Sequence, residues 1–321
     1  MAPLISVVIP VKNGDSWLDK VIPAILSQSL AHKIEIIVVD SGSTDNTLAI
    51  LTNFPIKLVQ IPSSEFNHGT TRNLGVQNAI GEFVVMTVQD AEPIDNLWLE
   101  NLLDGFTDNT VAAVCGQQIV PHDLDKNPVK WFRPVSPPSI KKVLFRDFSE
   151  FDELPAEEKR HVCGLDNVTT MYRRELLLKF PFKHVSFAED MLWAYEILKA
   201  GYSIVYNTNA RVNHYHLEEP EFAFKRSFTQ SYHSYKIFGI KPKAVESNLI
   251  KILRHLKLLV SNKRVTYRDK WKWLFLNYRM GREINRANAI FYTSLGKGDH
   301  ELERQHSILC KTPPQALKPV K

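Results

Sequence analysis

The sequence predicts an α/β fold: a mostly parallel sheet flanked by helices, followed by a helical C-terminal region. Three observations carry this. Four apolar, β-rich runs at residues 5–10, 34–39, 57–61 and 83–88 alternate with stretches of helical periodicity, as in successive β-α units. Several runs end abruptly in polar residues, Asp40 and Asp90 among them, which brings chemistry to strand tips. After Pro220 the chain reads as helix almost to its end.

Strand 5–10 and a loop over 10–13 come first, then a helix over 16–30 with Trp17, Leu18, Val21, Ile25 and Leu26 at helical spacing. Strand 34–39 ends at Asp40. Ser41-Gly42-Ser43-Thr44-Asp45-Asn46 is a turn rich in N-cap residues that opens a helix running through Leu51. Strand 57–61, helix 70–79 and strand 83–88 follow with short connections, then a helix over 97–106 and a buried strand over 111–116. From 121 to 155 the pattern breaks into a Pro-rich, aromatic and charged segment containing Trp131-Phe132-Arg133-Pro134 and Pro137-Pro138. Irregular connections of this length are usually functional or mobile. Strand character returns over 164–172 and helix over 174–180; the helix over 191–200 carries Leu192, Tyr195 and Leu198 on one side, with Gly201 as its C-cap. Two further strands, 203–206 and 210–215, lead to His214 and His216. In the helical region Leu249, Ile252, Leu253, Leu256 and Val260 share one apolar face, with Lys251 and Arg254 turned away.

A chain of 321 residues, 44% hydrophobic and 23% charged, can bury a sizeable core and gives no sign of wholesale disorder. The net charge of +5 does not by itself imply nucleic acid. Its distribution is one-sided: Lys241, Lys243, Lys251, Arg254, Lys257, Lys263, Arg264, Arg268, Lys270 and Lys272 meet only Glu246 and Asp269, and the cluster has no nucleic-acid reader motif. Cys115, Cys163 and Cys310 are odd in number and far apart, which points to neither a disulfide framework nor a cysteine zinc site and suits a reducing cytoplasm. Met1-Ala2-Pro3-Leu4-Ile5-Ser6 lacks a charged leader and no apolar run is long enough to span a bilayer. The expectation is a cytoplasmic protein.

The Asp40 turn ends a strand and opens a helix, so its carboxylate can accept from a base or ribose donor; in isolation a plain capping turn is the favoured account. Pro10-Val11-Lys12-Asn13 and Gln89-Asp90-Ala91 end neighbouring strands on the same expected face, which favours a ligand. Neither the G-x-G-x-x-G pattern nor a P-loop occurs, which disfavours a nicotinamide dehydrogenase and a P-loop kinase. Asp90 at a strand tip can hold a hard cation. His214 and His216, two apart on a strand, face the same way, and an imidazole tilts preference toward Mn²⁺ over Mg²⁺; a structural histidine pair is the competing account. Glu189-Asp190 precedes a helix, where carboxylates also serve as capping charges.

Ile5-Ser6-Val7-Val8-Ile9-Pro10-Val11-Lys12-Asn13, Ile36-Ile37-Val38-Val39-Asp40-Ser41-Gly42-Ser43-Thr44-Asp45 and Thr71-Arg72-Asn73-Leu74-Gly75 resemble the nucleotide-binding half of family 2 glycosyltransferases, which have a GT-A fold. The resemblance continues through Gln89-Asp90-Ala91, Glu189-Asp190 and His214-Tyr215-His216, over roughly the first two-thirds of the chain. It implies that Pro10, Val11, Asn13, Asp40, Ser43 and Gln89 line the nucleotide-sugar pocket and that Arg72 helps to hold the nucleoside or its diphosphate. Asp90 stands at the family's D-x-D metal motif, reduced here to one carboxylate; His216, nearer the tip than His214, is the favoured second ligand for Mn²⁺ or Mg²⁺. The resemblance further implies that Asp190 is the general base, with Glu189 orienting it or the acceptor.

Gln-Asp-Ala, Asp166-Asn167, Glu-Asp followed by Met191-Leu192-Trp193-Ala194, and His-x-His together are most similar to bacterial rhamnosyltransferases of cell-surface polysaccharide assembly. That implies a dTDP-L-rhamnose donor, inversion at the anomeric carbon, and a hydroxyl of a glycan or lipid-linked glycan as acceptor. Few contacts set sugar identity, so a UDP-N-acetylglucosamine or UDP-hexose donor is the alternative, and the reduced D-x-D motif leaves room for a non-catalytic nucleotide-sugar or glycan-binding module. The implied organisation is a GT-A domain over 1–220 (nucleotide-binding half 1–115, acceptor half 116–220), a basic helical region over 221–311 and a disordered tail over 312–321. The irregular 121–155 segment reads as an acceptor-side loop or lid. The basic helices either pack as an appendage or lie on the anionic inner face of the bacterial inner membrane.

Overall fold

The structure is a computed structural model that describes residues 3–132, 135–216, 218–243 and 248–311. The chain divides into two compact units, Met1–Ile119 with Val135–Tyr215, and Val120–Pro134 with His216–Lys321. The expected tail over 312–321 lies outside the described residues.

The first unit is built on nine strands: β1 (Ile5–Val11), β2 (Ile34–Asp40), β3 (Lys57–Gln60), β4 (Phe83–Thr87), β5 (Ala91–Pro93), β6 (Val111–Ile119), β7 (Ile140–Val143), β8 (Thr169–Arg173) and β9 (Ser203–His214). Their order is β3-β2-β1-β4-β8-β6-β9-β5, with β7 also on β9. β1 to β4 pair in parallel, as the β-α alternation predicts. The other half is mixed: β8 runs antiparallel to both β4 and β6, β6 and β9 are parallel, and β5 and β7 oppose β9. β1 and β4 are almost wholly apolar because both sheet faces are covered. Helix His68–Asn78 lies so close to β1 that a Cβ on Gly75 would come within 2.3 Å of Val8 Cγ1.

Several expectations need correction. The helix expected over 16–30 is confined to Leu18–Leu26; it carries Pro23 inside it and closes at Ser27, whose N–H donates to the Pro23 carbonyl at 2.9 Å. The strands expected over 203–206 and 210–215 are one continuous β9. Asn207-Thr208-Asn209 reads as a break, yet buried Asn207 donates to the Asn101 carbonyl at 2.6 Å and accepts from the Asn209 N–H at 3.1 Å, so the strand continues through a shift in its pairing with β6.

The strand directions decide where chemistry collects. The C-terminal ends of β1, β2, β4, β6 and β9 and the N-terminal ends of β5 and β8 share one edge, with Val11 opposite Asp40, Thr87 opposite Thr169 and Ala91 opposite His214. Asp40, Asp90, Gln118, Asp166 and His214 all arrive there.

The second unit consists mainly of helices Pro220–Phe238, Asn248–Ser261, Tyr267–Leu295 and Asp299–Cys310. One core gathers Phe224, Phe228, Tyr232, Phe291 and Leu302; another gathers Trp131, Leu259, Val265 and Trp273. Val120, Val129 and Trp131, from the irregular segment, thus pack with the helices, where Asn127 and Asn277 side chains bond at 3.0 Å. The apolar face expected on helix Asn248–Ser261 is corrected. Leu259 is buried, Ile252 and Leu258 are half-buried, and Leu253 and Val260 are 56% and 63% exposed; the side chain of Leu249 is outside the described residues. Lys251, expected to face away, donates to Asn285 at 3.1 Å. The helix is apolar on two sides, and the Trp131–Trp273 contact selects the Leu259 side, a choice that periodicity alone does not make. Among the described residues no helix is long and apolar enough to cross a membrane.

Candidate active site

At the sheet edge the Asp40 turn is held by its own carboxylate. Asp40, 1% exposed, accepts from the Gly42 and Ser43 N–H groups at 3.1 and 3.2 Å and from the Ser43 hydroxyl. Gly42 takes φ +79°, and a Cβ there would meet Ser63 Oγ at 2.9 Å, so this turn favours glycine. The preceding loop is laced to it: the Asn13 N–H donates to Ser43 Oγ at 2.9 Å, while Asn13 Oδ1 accepts from the Thr44 N–H at 2.9 Å. Val11 is buried and contributes its carbonyl, which accepts from the Ser41 N–H and hydroxyl at 2.9 and 3.0 Å. Gln89 mimics a strand partner, its amide accepting from the Lys12 N–H at 2.8 Å and donating to the Lys12 carbonyl at 3.2 Å. Pro10, Val11, Asn13, Asp40, Ser43 and Gln89 are therefore one connected rim, with Asn13 its exposed member.

Asp90 follows β4 and immediately precedes β5, which pairs with the end of β9, so it meets His214 at 3.5 Å between Oδ1 and Nε2; their side chains are 8% and 10% exposed. The chain then carries His216 into range. One ligand atom each from Asp90, His214 and His216 lies within 4.8 Å of the others. A carboxylate with two imidazoles is a donor set that fits Mn²⁺ better than Mg²⁺. The expectation favoured His216; the geometry brings both histidines to Asp90, with His214 the more buried.

A second cluster surrounds the start of helix Glu189–Lys199. Glu189 Oε1 accepts from Arg72 Nη1 at 2.9 Å and from Asn167 Nδ2 at 3.1 Å, and Asn167 Oδ1 accepts from the Tyr172 hydroxyl at 2.7 Å. Arg72 and Glu189 are buried, with 6% and 7% of their side chains exposed. Arg72 also donates to the His68 carbonyl at 3.1 Å, while its buried Nε–H has no acceptor among the described residues. Asp190, partly exposed, accepts from the Met191 N–H at 2.8 Å and the Asn167 N–H at 3.3 Å. Burial above all, then the Glu189 and Asp166 charges, push its carboxyl up to about 8, against a downward pull from Arg72. Ala188, immediately before the pair, adopts φ +65°, an unusual backbone for a residue with a side chain and one that clusters at functional sites.

The structure thus ties Arg72 to the acid pair, whereas the sequence reading placed it at the nucleoside or diphosphate. Asn167, Tyr172 and Gln118 are site residues that sequence reasoning assigned no role. For Gln118 a signal existed: Gln117-Gln118 is a polar pair closing an otherwise apolar strand.

Comparison with known proteins agrees with this geometry. A family model for glycosyl transferase family 2 matches residues 6–180. The O-antigen chain rhamnosyltransferase RfbN of Salmonella typhimurium is 34% identical over 229 residues, 70% of either chain. The O-antigen chain rhamnosyltransferase WbaN of Salmonella anatum is 36% identical over 205 residues, 60% of either chain. Among solved structures, the mannosyltransferase PcManGT from Pyrobaculum calidifontis, in complex with GDP-Man and Mn²⁺, superposes with a TM-score of 0.53 at 18% identity, covering 98% of this chain and 82% of its own. S. aureus TarS 1-349 in complex with UDP-GlcNAc gives a TM-score of 0.51 at 16% identity, covering 91% and 92%. At such identities the two likenesses speak to fold alone. With a family match over more than half its length and a relative aligned over 70% of both chains, the chain belongs to glycosyl transferase family 2 and has its GT-A fold.

Proposed function

We propose that the protein is a metal-assisted, inverting transferase that moves L-rhamnose from dTDP-L-rhamnose to a hydroxyl of a bacterial cell-surface glycan or its lipid-linked precursor. The observation that carries the mechanism is the raised carboxyl of Asp190 at the sheet edge that also bears Asp90 and His214. Asp190 takes the acceptor's proton as that oxygen bonds to the anomeric carbon from the face opposite the nucleotide. The bond from carbon to diphosphate breaks, its electron pair leaves with the nucleoside diphosphate, and the configuration inverts. Asp90, His214 and His216 would hold Mn²⁺ or Mg²⁺, which when bound neutralises charge on the departing diphosphate. The rim from Pro10 to Ser43, with Gln89, binds the nucleoside. Burial first, and then the Glu189 charge, raise the basicity of Asp190, while Glu189 also anchors Arg72; the unmatched Nε–H of Arg72 supports a contact with the diphosphate. In this reading residues 1–115 form the donor half, and the part of 116–220 in the first unit contributes acceptor contacts.

The names of the two Salmonella relatives support rhamnose as the donor sugar. A thermal-shift panel of nucleotide sugars, with and without Mn²⁺, tests it. Ligand at 100 times its Kd adds about 2.7 kcal/mol. The expected result is selective stabilisation by dTDP-L-rhamnose, lost in Asp90→Ala; stabilisation by UDP-N-acetylglucosamine or a UDP-hexose alone would replace the donor assignment.

A second reading concerns the helical unit, which we propose lies on the anionic cytoplasmic face of the inner membrane. Ile250, Leu253 and Val260 form an exposed stripe on one helix, and Tyr267, Trp271 and Phe275 form another on the next, beside Arg254, Lys257, Lys263, Arg268 and Lys272. Apolar stripes with Lys and Arg at their borders suit anionic headgroups. Flotation with phosphatidylglycerol vesicles, weakened by Trp271→Ser and absent with phosphatidylcholine, is expected; binding indifferent to lipid charge would refute it.

A further inference from the structure

We infer that Gln118 is a positioning residue that fixes the tautomer of His214, and so decides which imidazole nitrogen faces Asp90. The inference rests on the metal reading above and extends it to a residue outside the ligand set. In the β6–β9 register Gln118 stands opposite Val212, which makes His214, two residues further along β9, its diagonal neighbour on the same face. The Gln118 amide nitrogen donates to Asp166 Oδ2, and its oxygen lies 2.5 Å from His214 Nδ1. The other oxygen of Asp166 accepts from the Val168 N–H at 3.1 Å.

The donor and acceptor roles follow in sequence from Asp166. An ionised carboxylate only accepts, so the Gln118 amide must turn its NH₂ toward Asp166 and its oxygen toward the imidazole. An amide oxygen also only accepts, so Nδ1 of His214 carries the hydrogen. A neutral imidazole has one N–H, and Nε2 therefore presents its lone pair to the Asp90 side. The separation agrees: Nε2 to Asp90 Oδ1 is 3.5 Å, too long for the 2.7–2.9 Å typical of an N–H donating to a carboxylate. Without Gln118 the other tautomer becomes accessible, in which Nε2–H donates to Asp90 and both atoms are lost to a cation. The Asp166–Gln118 chain thus competes with a direct histidine–aspartate bond.

Two measurements on the intact chain test this: Mn²⁺ binding, with the metal alone, by electron paramagnetic resonance, and the tautomer of His214 in the metal-free protein by long-range ¹H–¹⁵N correlation. Wild type is expected to show an unprotonated Nε2. Gln118→Met is expected to release the tautomer and weaken Mn²⁺ binding by about 10–100-fold, the usual effect of losing a partner behind a metal ligand. The double variant D166N/Q118E exchanges the amide and the carboxylate of the relay. The amide now on β8's side would donate to one oxygen of the carboxylate now on β6, whose other oxygen accepts from Nδ1–H; recovery of affinity and tautomer is expected. Protonated Nε2 in wild type, or an unchanged tautomer and affinity in Gln118→Met, overturns the inference. Wild type with unprotonated Nε2 that binds no Mn²⁺ instead supports the tautomer assignment and refutes the metal reading.

Discussion

Replacing Glu189 by Gln removes the charge that, after burial, does most to hold the Asp190 carboxyl high. Two effects add. A neighbouring charge moves a carboxyl by about one to three pKa units, each worth about 1.4 kcal/mol. In addition, the Arg72 guanidinium, 2.9 Å from Glu189, loses its counter-charge and acts on Asp190 unopposed. Both lower the pKa, so the Asp190 midpoint is expected to fall from about 8 by about one unit or more. Breaking a buried ion pair costs about 3–5 kcal/mol, reduced here because the Gln oxygen still accepts from Arg72 and Asn167. The assay is a carboxyl ¹³C NMR titration, with Asp190→Asn assigning the signal. A wild-type midpoint near the ordinary carboxylate value, or one that Glu189→Gln leaves in place, would refute the electrostatic account of the base.

Asp190→Asn is expected to slow transfer by about 10²-fold or more yet improve folding at high pH. Between an unfolded pKa of 3.8 and a folded value near 8, the unfolded chain ionises while the native state keeps its proton, so wild-type stability falls as pH rises through that window. The variant lacks this loss, and thermal melts should show its advantage widening by about 2 kcal/mol from pH 5 to pH 9, a figure discounted for the partial exposure of the side chain; a gap constant with pH contradicts the shift. Gly75→Ala drives a methyl into Val8 and should cost about 1–3 kcal/mol in denaturant unfolding, while an unchanged midpoint would mean that the helix moves off β1 freely.

The parallel half of the sheet was readable because β1, β2 and β4 are largely buried and so appear as mostly apolar runs, broken only by Ser6, Glu35 and their polar ends. The same runs end at Asp40 and just before Asp90, which made the ligand edge visible without knowledge of the pairing. The mixed half was not, since strand direction there depends on long connections and partners far away in sequence. β9 reads as two strands because Asn207 and Asn209 look like a turn; the Asn101 carbonyl and the pairing with Ile140 on β7, both distant in sequence, hold Asn207 within the strand. Arg72 illustrates the limit at the site. Its residue type suited a phosphate, but its bond to Glu189, 117 positions away, depends on packing that the sequence does not display. Gln118 matters only through its neighbours Asp166 and His214, 48 and 96 positions away.

Turnover of nucleotide sugars with the acceptor glycan, read as released nucleoside diphosphate in wild type and Asp190→Asn, bears most directly on the central claim. The account predicts that one donor, dTDP-L-rhamnose, is consumed with inversion and that Asp190→Asn, still folded, loses about 10²-fold or more of that rate. Undiminished turnover in Asp190→Asn, or wild type that binds nucleotide and consumes no donor with any acceptor, would contradict it.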